Sequence, residues 1–315
     1  MKSFFKLVRY KNLIMIALLQ YLMRYCFILP VLKGYNLSSC FGALDFFFLV
    51  LASVLIAAGG YAINDWFDIK TDMINRPDKV LIDNEITRSS AAGIHLWFSG
   101  IGSVLGFLVS FRTGVWIMGL IFPLAAGFLW FYSSTYKKQF LLGNIIIALL
   151  SATIPLLPAA YETPCQIAQN RDFILGHQLD IYIFIKWASA FAIFAFLTTF
   201  IRELIKDTED FEGDNQIGRR TLPIVLGEKI TKIIAVAFTC SEIILLVSVW
   251  LLIMKDIVSG VYFVVALILP MIFAIFKIIK ASSKSDFHSV SNLYKIIMLA
   301  GILFLVVVKI ELELL

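Results

Sequence analysis

A chain of 315 residues in which 60% of side chains are hydrophobic and 16% charged, with a mean hydropathy of +0.88, is too apolar to be two soluble domains. The formal net charge of +5 is no argument for nucleic acid, because the basic residues are sorted by loop; the charge reflects topology and contact with anionic membrane lipid. Cys26, Cys40, Cys165 and Cys240 lack metal-ligand spacing, and His95, His177 and His288 are scattered without it.

Apolar runs of bilayer-spanning length recur at 12–32, 45–66, 91–111, 114–132, 140–161, 182–204, 231–253, 258–279 and 292–312. They predict nine transmembrane helices, a polytopic all-α membrane protein with one integral-membrane domain over 1–315. Residues 1–11 are basic, but the run that follows is long enough to span and lacks a small-residue cleavage site, so no cleaved signal is expected. Alternate loops divide Lys and Arg twenty to six. Lys2, Lys70, Arg76, Lys137, Arg202, Arg219, Lys229 and Lys277 are among the twenty, whereas Lys33, Arg112, Arg171, Lys186, Lys255 and Lys309 are the six. This bias predicts an N-terminus and charged loops (67–90 and 205–230) in the cytoplasm, residues 162–181 outside, and a protein integral to the cell (inner) membrane. Cys40 and Cys165 fall in outer loops, where an oxidising compartment allows a disulfide; the plainer reading is two unpaired small residues.

Two segments on the charged side break the apolar pattern. "NDWFDIKTDMINRP" begins at Asn64, at the end of the second run, and "RELIKDTEDFEGDNQIGRRTLPI" begins at Arg202, at the end of the sixth. Asn64, Asp68 and Asp72 step by four residues and so share a helix face, from which Asp65 diverges. Asp207, Asp210 and Asp214 step by three and four, which predicts a second face, with Glu203 one turn earlier. Ionised groups at membrane depth are costly and are usually retained for function. If the two helix ends face each other, the clustered carboxylates repel unless cations join them. Oxygen-only ligands suit Mg²⁺, which takes one or two carboxylates and completes its shell with water and substrate phosphate. Arg76, Lys79, Lys137, Lys138, Arg219 and Arg220 lie on the same side, where they can grip a phosphate. Acids, metals and bases together describe a diphosphate site, and no GxxxxGK[ST] loop is present to suggest a nucleotide. Lone acids such as Asp65, Asp78 and Glu212 read as solvated boundary residues. The lysine and arginine pairs also suit membrane anchoring, and Tyr132 with Ser133 an interfacial belt.

The first segment resembles the NDxxDxxxDxxNRP motif of the UbiA superfamily of intramembrane prenyltransferases. "KDTEDFEGDNQIGRRTLP" resembles the second motif of that family, and "YSSTYKKQFLLGN" the Tyr-Ser-…-Lys signature between them. The resemblance implies nine helices around a central cavity that opens to lipid, under a cytoplasmic cap. It implies two Mg²⁺ ions that hold the diphosphate of a polyprenyl donor. Asn64, Asp68 and Asp72 would serve one metal, Asp210 and Asp214 the other, and Asp207 would support the second site or orient the acceptor. Arg76, Lys137 and Arg219 would clamp the diphosphate, and Tyr132 would lie near the allylic carbon.

The second motif looks most like that of digeranylgeranylglyceryl phosphate synthases, which prenylate a lipid hydroxyl. The expectation is therefore geranylgeranyl diphosphate as donor and geranylgeranylglyceryl phosphate as acceptor, with Lys79, Lys138, Arg219 and Arg220 as surplus cations for the acceptor's phosphate. An aromatic acceptor such as 4-hydroxybenzoate or dihydroxynaphthoate is the alternative, against which Asp78-Lys79-Val80 replaces the second Arg-Pro common in quinone-pathway members. A secondary transporter ranks below both, since transporter acids cluster at broken helices near the midplane.

Overall fold

In a computed structural model the chain is described over residues 2–314, apart from the side chain of Lys79. Among the described residues nine helices are long and apolar enough to cross a bilayer. They are α1 (Tyr10–Gly34), α2 (Ala43–Asn75), α3 (Arg88–Arg112), α4 (Trp116–Ser134), α5 (Leu142–Gln169), α6 (Ile183–Glu209), α7 (Glu228–Met254), α8 (Ile257–Lys280) and α9 (Lys284–Leu314). The nine spans match the expected number, but several helices outrun the hydropathy boundaries. Hydropathy marks where a helix leaves the hydrocarbon, whereas the backbone keeps its i→i−4 bonds until something breaks them. The 33 residues of α2 measure about 50 Å against a hydrocarbon core of about 30 Å. Its last turns, the ones with Asp68 and Asp72, therefore stand beyond the apolar run, and Pro77 follows the end.

The contacts divide into two units, Met1–Thr135 with Thr153–Ala192, and Tyr136–Ala152 with Ile193–Leu315. In the first unit α2 packs against α1, α3 and α4. Gly60 allows the last of these approaches, since a Cβ there would come within 2.7 Å of Leu129 Cδ1. Beside it, the carbonyl of Gly59 meets His95 Nδ1 at 3.1 Å, and the His95 ring lies 5.3 Å from that of Trp130. In the second unit α8 packs against α7 and α9, and Thr239 Oγ1 and Tyr294 Oη share a buried hydrogen bond of 2.6 Å.

The far end of the first unit corrects the plainer reading of the cysteines. Cys40 and Cys165 form a disulfide across a Cα–Cα distance of 6.1 Å. Cys165 lies within α5, which runs on past the boundary expected at residue 161. Glu162 explains the meeting: it accepts from Ser39 Oγ at 2.7 Å, from the Cys40 amide at 3.2 Å and from Gln166 Nε2 at 2.7 Å. Buried Arg24 donates to Phe41 O at 2.5 Å and lies over the Phe46 ring. The loop is thus fastened to α5 by the Glu162 contacts as well as by the disulfide. Because the bond spans a sequence separation of 125, Cys40→Ser or reduction should cost about 2–4 kcal/mol of stability. Thermal melts of the purified protein with and without reductant would read this, and coincident melts would show that the bond constrains nothing.

Candidate active site

The first acidic segment sits on uninterrupted helix. Asn64 and Asp68, 8% and 3% exposed, are one turn apart, and Asn64 Nδ2 donates to Asp68 Oδ2 at 2.9 Å. Asp72 follows one turn later, half-buried, and its carbonyl accepts from the Arg76 amide at 2.7 Å where the helix ends. Asp65 faces away from this row, as its spacing requires. It pairs at 2.8 Å with Arg9, whose guanidinium also lies 4.9 Å from the Tyr61 ring centroid. Beyond Pro77, Arg88 grips Asp83 through Nε at 2.9 Å and Nη2 at 2.6 Å, and this guanidinium holds the Asp83 carboxyl below the usual carboxylate range. Tyr132 is buried near the end of α4. Lys79, expected among the phosphate contacts, has its side chain outside the described residues.

The second segment is divided between two helices. The α6 helix stops at Glu209, Asp210 is the break, and a short helix Phe211–Gln216 continues. Backbone hydrogen bonds bridge the break: the Asp210 amide donates to Lys206 O at 2.9 Å and the Asp214 amide to Asp210 O at 3.0 Å. The chain therefore turns without unwinding, and the acids acquire different partners. Asp207 Oδ2 accepts from Asn144 Nδ2 at 2.8 Å. Asp214 meets Arg219 at 2.9 Å, with both side chains only 3% exposed. Glu203 pairs with Arg202 at 2.9 Å and with Lys206 at 3.0 Å.

The basic loops of this unit are tied together. The Arg220 amide donates to the Lys138 carbonyl at 2.9 Å, which joins the turn Tyr136–Lys138 to the loop after the short helix. Gly143, at the start of α5, makes the turn feasible, since a Cβ there would stand 2.9 Å from Lys137 Cα. Lys138 and Arg220 are exposed, Lys137 is half-buried and Arg219 is buried. Asn144 and His288, which is 3.0 Å from Glu209, are contacts that the sequence reading did not single out. Asn144 follows Gly143 in the quoted signature, the one signal that pointed to it; nothing local marks His288.

Among the described residues no group of three His, Cys, Asp or Glu side chains forms a ready metal cage. The donor chemistry nevertheless fits Mg²⁺, which uses few carboxylates and draws its remaining ligands from water and substrate phosphates. Each segment offers hard oxygen donors held in place by a neighbouring amide or guanidinium.

Among the described residues, nine membrane-length helices, acidic helix ends and tethered basic loops define an integral membrane protein of the helical class. The chain belongs to the UbiA prenyltransferase family, which it matches over residues 27–299. It is 36% identical over 182 residues to the digeranylgeranylglyceryl phosphate synthase of Pyrococcus furiosus, a match that spans 58% of this chain and 56% of that one. A solved structure described as digeranylgeranylglyceryl phosphate synthase in membranes is 25% identical, with a TM-score of 0.64 over 98% of both chains. A UbiA homolog from Archaeoglobus fulgidus bound to GPP and Mg²⁺ shares the fold at 16% identity, with a TM-score of 0.53 over 97% of this chain and 99% of that one.

Proposed function

We propose that this chain is a single-domain, Mg²⁺-dependent prenyltransferase that moves a polyprenyl group from a prenyl diphosphate to a lipid hydroxyl. The favoured pair is geranylgeranyl diphosphate as donor and geranylgeranylglyceryl phosphate as acceptor. The observation that carries this reading is the pairing of chemistries in one unit. Carboxylates locked by Asn144 and Arg219 lie on segments tied to a basic loop pair, Lys137-Lys138 and Arg219-Arg220. The motif resemblance and the names of the relatives support the choice of acceptor. The Lys and Arg bias supports an N-terminus and acidic segments in the cytoplasm, in the cell membrane.

Two bound Mg²⁺ ions, one served by Asn64, Asp68 and Asp72 and the other by Asp210 and Asp214, would neutralise the diphosphate as its allylic C–O bond breaks. The protein's own groups prepare that event. Asn64 fixes the rotamer of Asp68. Asn144 holds Asp207, which we assign to orient the acceptor hydroxyl as its proton leaves and the ether bond forms. Arg76, Lys137 and the exposed Lys138 and Arg220 take the phosphate charge, with Lys79 close after Arg76 in sequence. Tyr132 is assigned to shelter the delocalised allylic cation. Capture by the acceptor rather than by water follows from holding the two in contact in a dry site.

The test is product analysis by mass spectrometry with purified protein, Mg²⁺, geranylgeranyl diphosphate, and the glyceryl phosphate and aromatic acceptors at equal concentration. An ether lipid as the main product is expected. Prenylated 4-hydroxybenzoate or dihydroxynaphthoate without ether lipid would overturn the acceptor assignment.

A further inference from the structure

The turn between α8 and α9 closes a groove of 390 Å³ that the prenyl-transfer reading does not use. Counting spans from α6, whose end carries the second acidic segment, the end of α8 returns to that same side. Its lining is amphiphilic. Phe273 and Phe276 form an apolar wall and are 54% and 58% exposed, while Lys277 and Lys280 supply two ammonium groups in the last turn of α8.

The polar groups are arranged as donors. Lys277 Nζ donates to Ser289 Oγ at 2.6 Å, which leaves the Ser289 hydroxyl proton for another acceptor. Lys280 is exposed and has no carboxylate within ion-pair distance among the described residues. The one carboxylate in the lining, Asp286, accepts from the Ser282 amide at 3.1 Å, the Ser283 amide at 2.9 Å and Ser283 Oγ at 2.8 Å. It is thereby held at the start of α9, where its charge acts on Lys277 and leaves Lys280 as the groove's unneutralised cation. A groove with cations at its polar end and aromatic rings along its apolar wall, at a membrane-water boundary, matches a phosphate carried on acyl chains.

We propose that this groove binds the headgroup phosphate of an anionic bilayer phospholipid, with the first acyl carbons against Phe273 and Phe276. A choline headgroup is disfavoured because it brings its own positive charge toward Lys277 and Lys280. A free phosphate ester would lack the apolar half of the contact. Each juxtamembrane lysine is worth roughly fivefold in attraction to an anionic lipid, so the pair contributes roughly twenty-five-fold.

The experiment uses the full chain in phosphatidylcholine nanodiscs with or without phosphatidylglycerol, extracted into detergent and examined by native mass spectrometry. The wild type is expected to retain phosphatidylglycerol over phosphatidylcholine, and Lys277→Ala/Lys280→Ala to lose that preference by roughly twenty-five-fold. Lys229→Ala, an exposed change on the same side, should retain it. Should the double variant not fold, Lys280→Glu carries the same expectation at an exposed position. Equal phosphatidylglycerol retention by wild type and variant would overturn the proposal. So would equal retention of the two lipids by the wild type, or displacement of the lipid by soluble glycerol phosphate. Prenyl-transfer activity does not enter this readout, so its failure and that of the proposed function are distinguishable.

Discussion

Asp68→Asn is expected to lower kcat/KM by roughly 10²–10³-fold while the protein still folds. The asparagine keeps an oxygen where Asn64 Nδ2 now donates at 2.9 Å, so the helix-face hydrogen bond survives and only the charge is removed. A buried carboxylate that serves only to cap its neighbour would tolerate this change. One that holds a cation against a departing diphosphate would not, because the charge it balances develops in the transition state. Chelation with EDTA should reproduce the loss in the wild type, and added Mg²⁺ should reverse it. Turnover measured with labelled donor, beside a thermal melt of each protein, separates chemistry from folding. Full activity in EDTA, or in the folded Asp68→Asn protein, would sink the assignment of the first segment.

The second large effect concerns Arg219 and separates it from its neighbour. Arg219 and Asp214 are each only 3% exposed and 2.9 Å apart, and Arg219 N also donates to Asp214 O at 2.9 Å. Removing one member of such a pair leaves a buried charge uncompensated, at a cost of about 3–5 kcal/mol. Arg219→Ala should therefore lower the melting temperature and activity together, with partial recovery in Arg219→Lys, which restores charge without the planar fork. Arg220 is exposed and engages Lys138 through its backbone, so Arg220→Ala should leave the melt unchanged and raise KM for a phosphate-bearing substrate. The sequence reading grouped both arginines as phosphate contacts. A melt unaffected by Arg219→Ala would return Arg219 to that group.

The number of spans was legible because the bilayer imposes a length and a polarity on each, and nine apolar runs state both. Helix ends were less legible. Residues 67–75 are too polar for hydrocarbon but have no reason to stop being helical before Pro77, so α2 outlasts its apolar run. In the first acidic segment the four-residue steps translate directly into a shared face, and the Asn64–Asp68 bond follows from them. In the second the spacing did not reveal the helix boundary at Asp210, because i→i−4 hydrogen bonds continue across it. The partners of these acids were illegible for a different reason. Asn144 is 63 residues from Asp207 and His288 is 79 from Glu209, and no periodicity links positions that meet only in tertiary structure. The Cys40–Cys165 bond belongs with these, since Glu162 gathers the loop through contacts that span more than a hundred residues.

The uninterrupted course of α2 through its acidic row has a consequence for how the cost of ordering is distributed in time. Asn64, Asp68 and Asp72 lie at steps of about 6 Å along a rigid rod. Their backbone entropy is surrendered once, when the protein folds, and never again during a catalytic cycle. The carboxylates around Asp210 are held differently, by i→i−4 hydrogen bonds across the junction between two helices and by the side chains of Asn144 and Arg219. On the function proposed above, the acids of α2 need no backbone reordering when a substrate arrives, and binding energy there goes to the ligand alone.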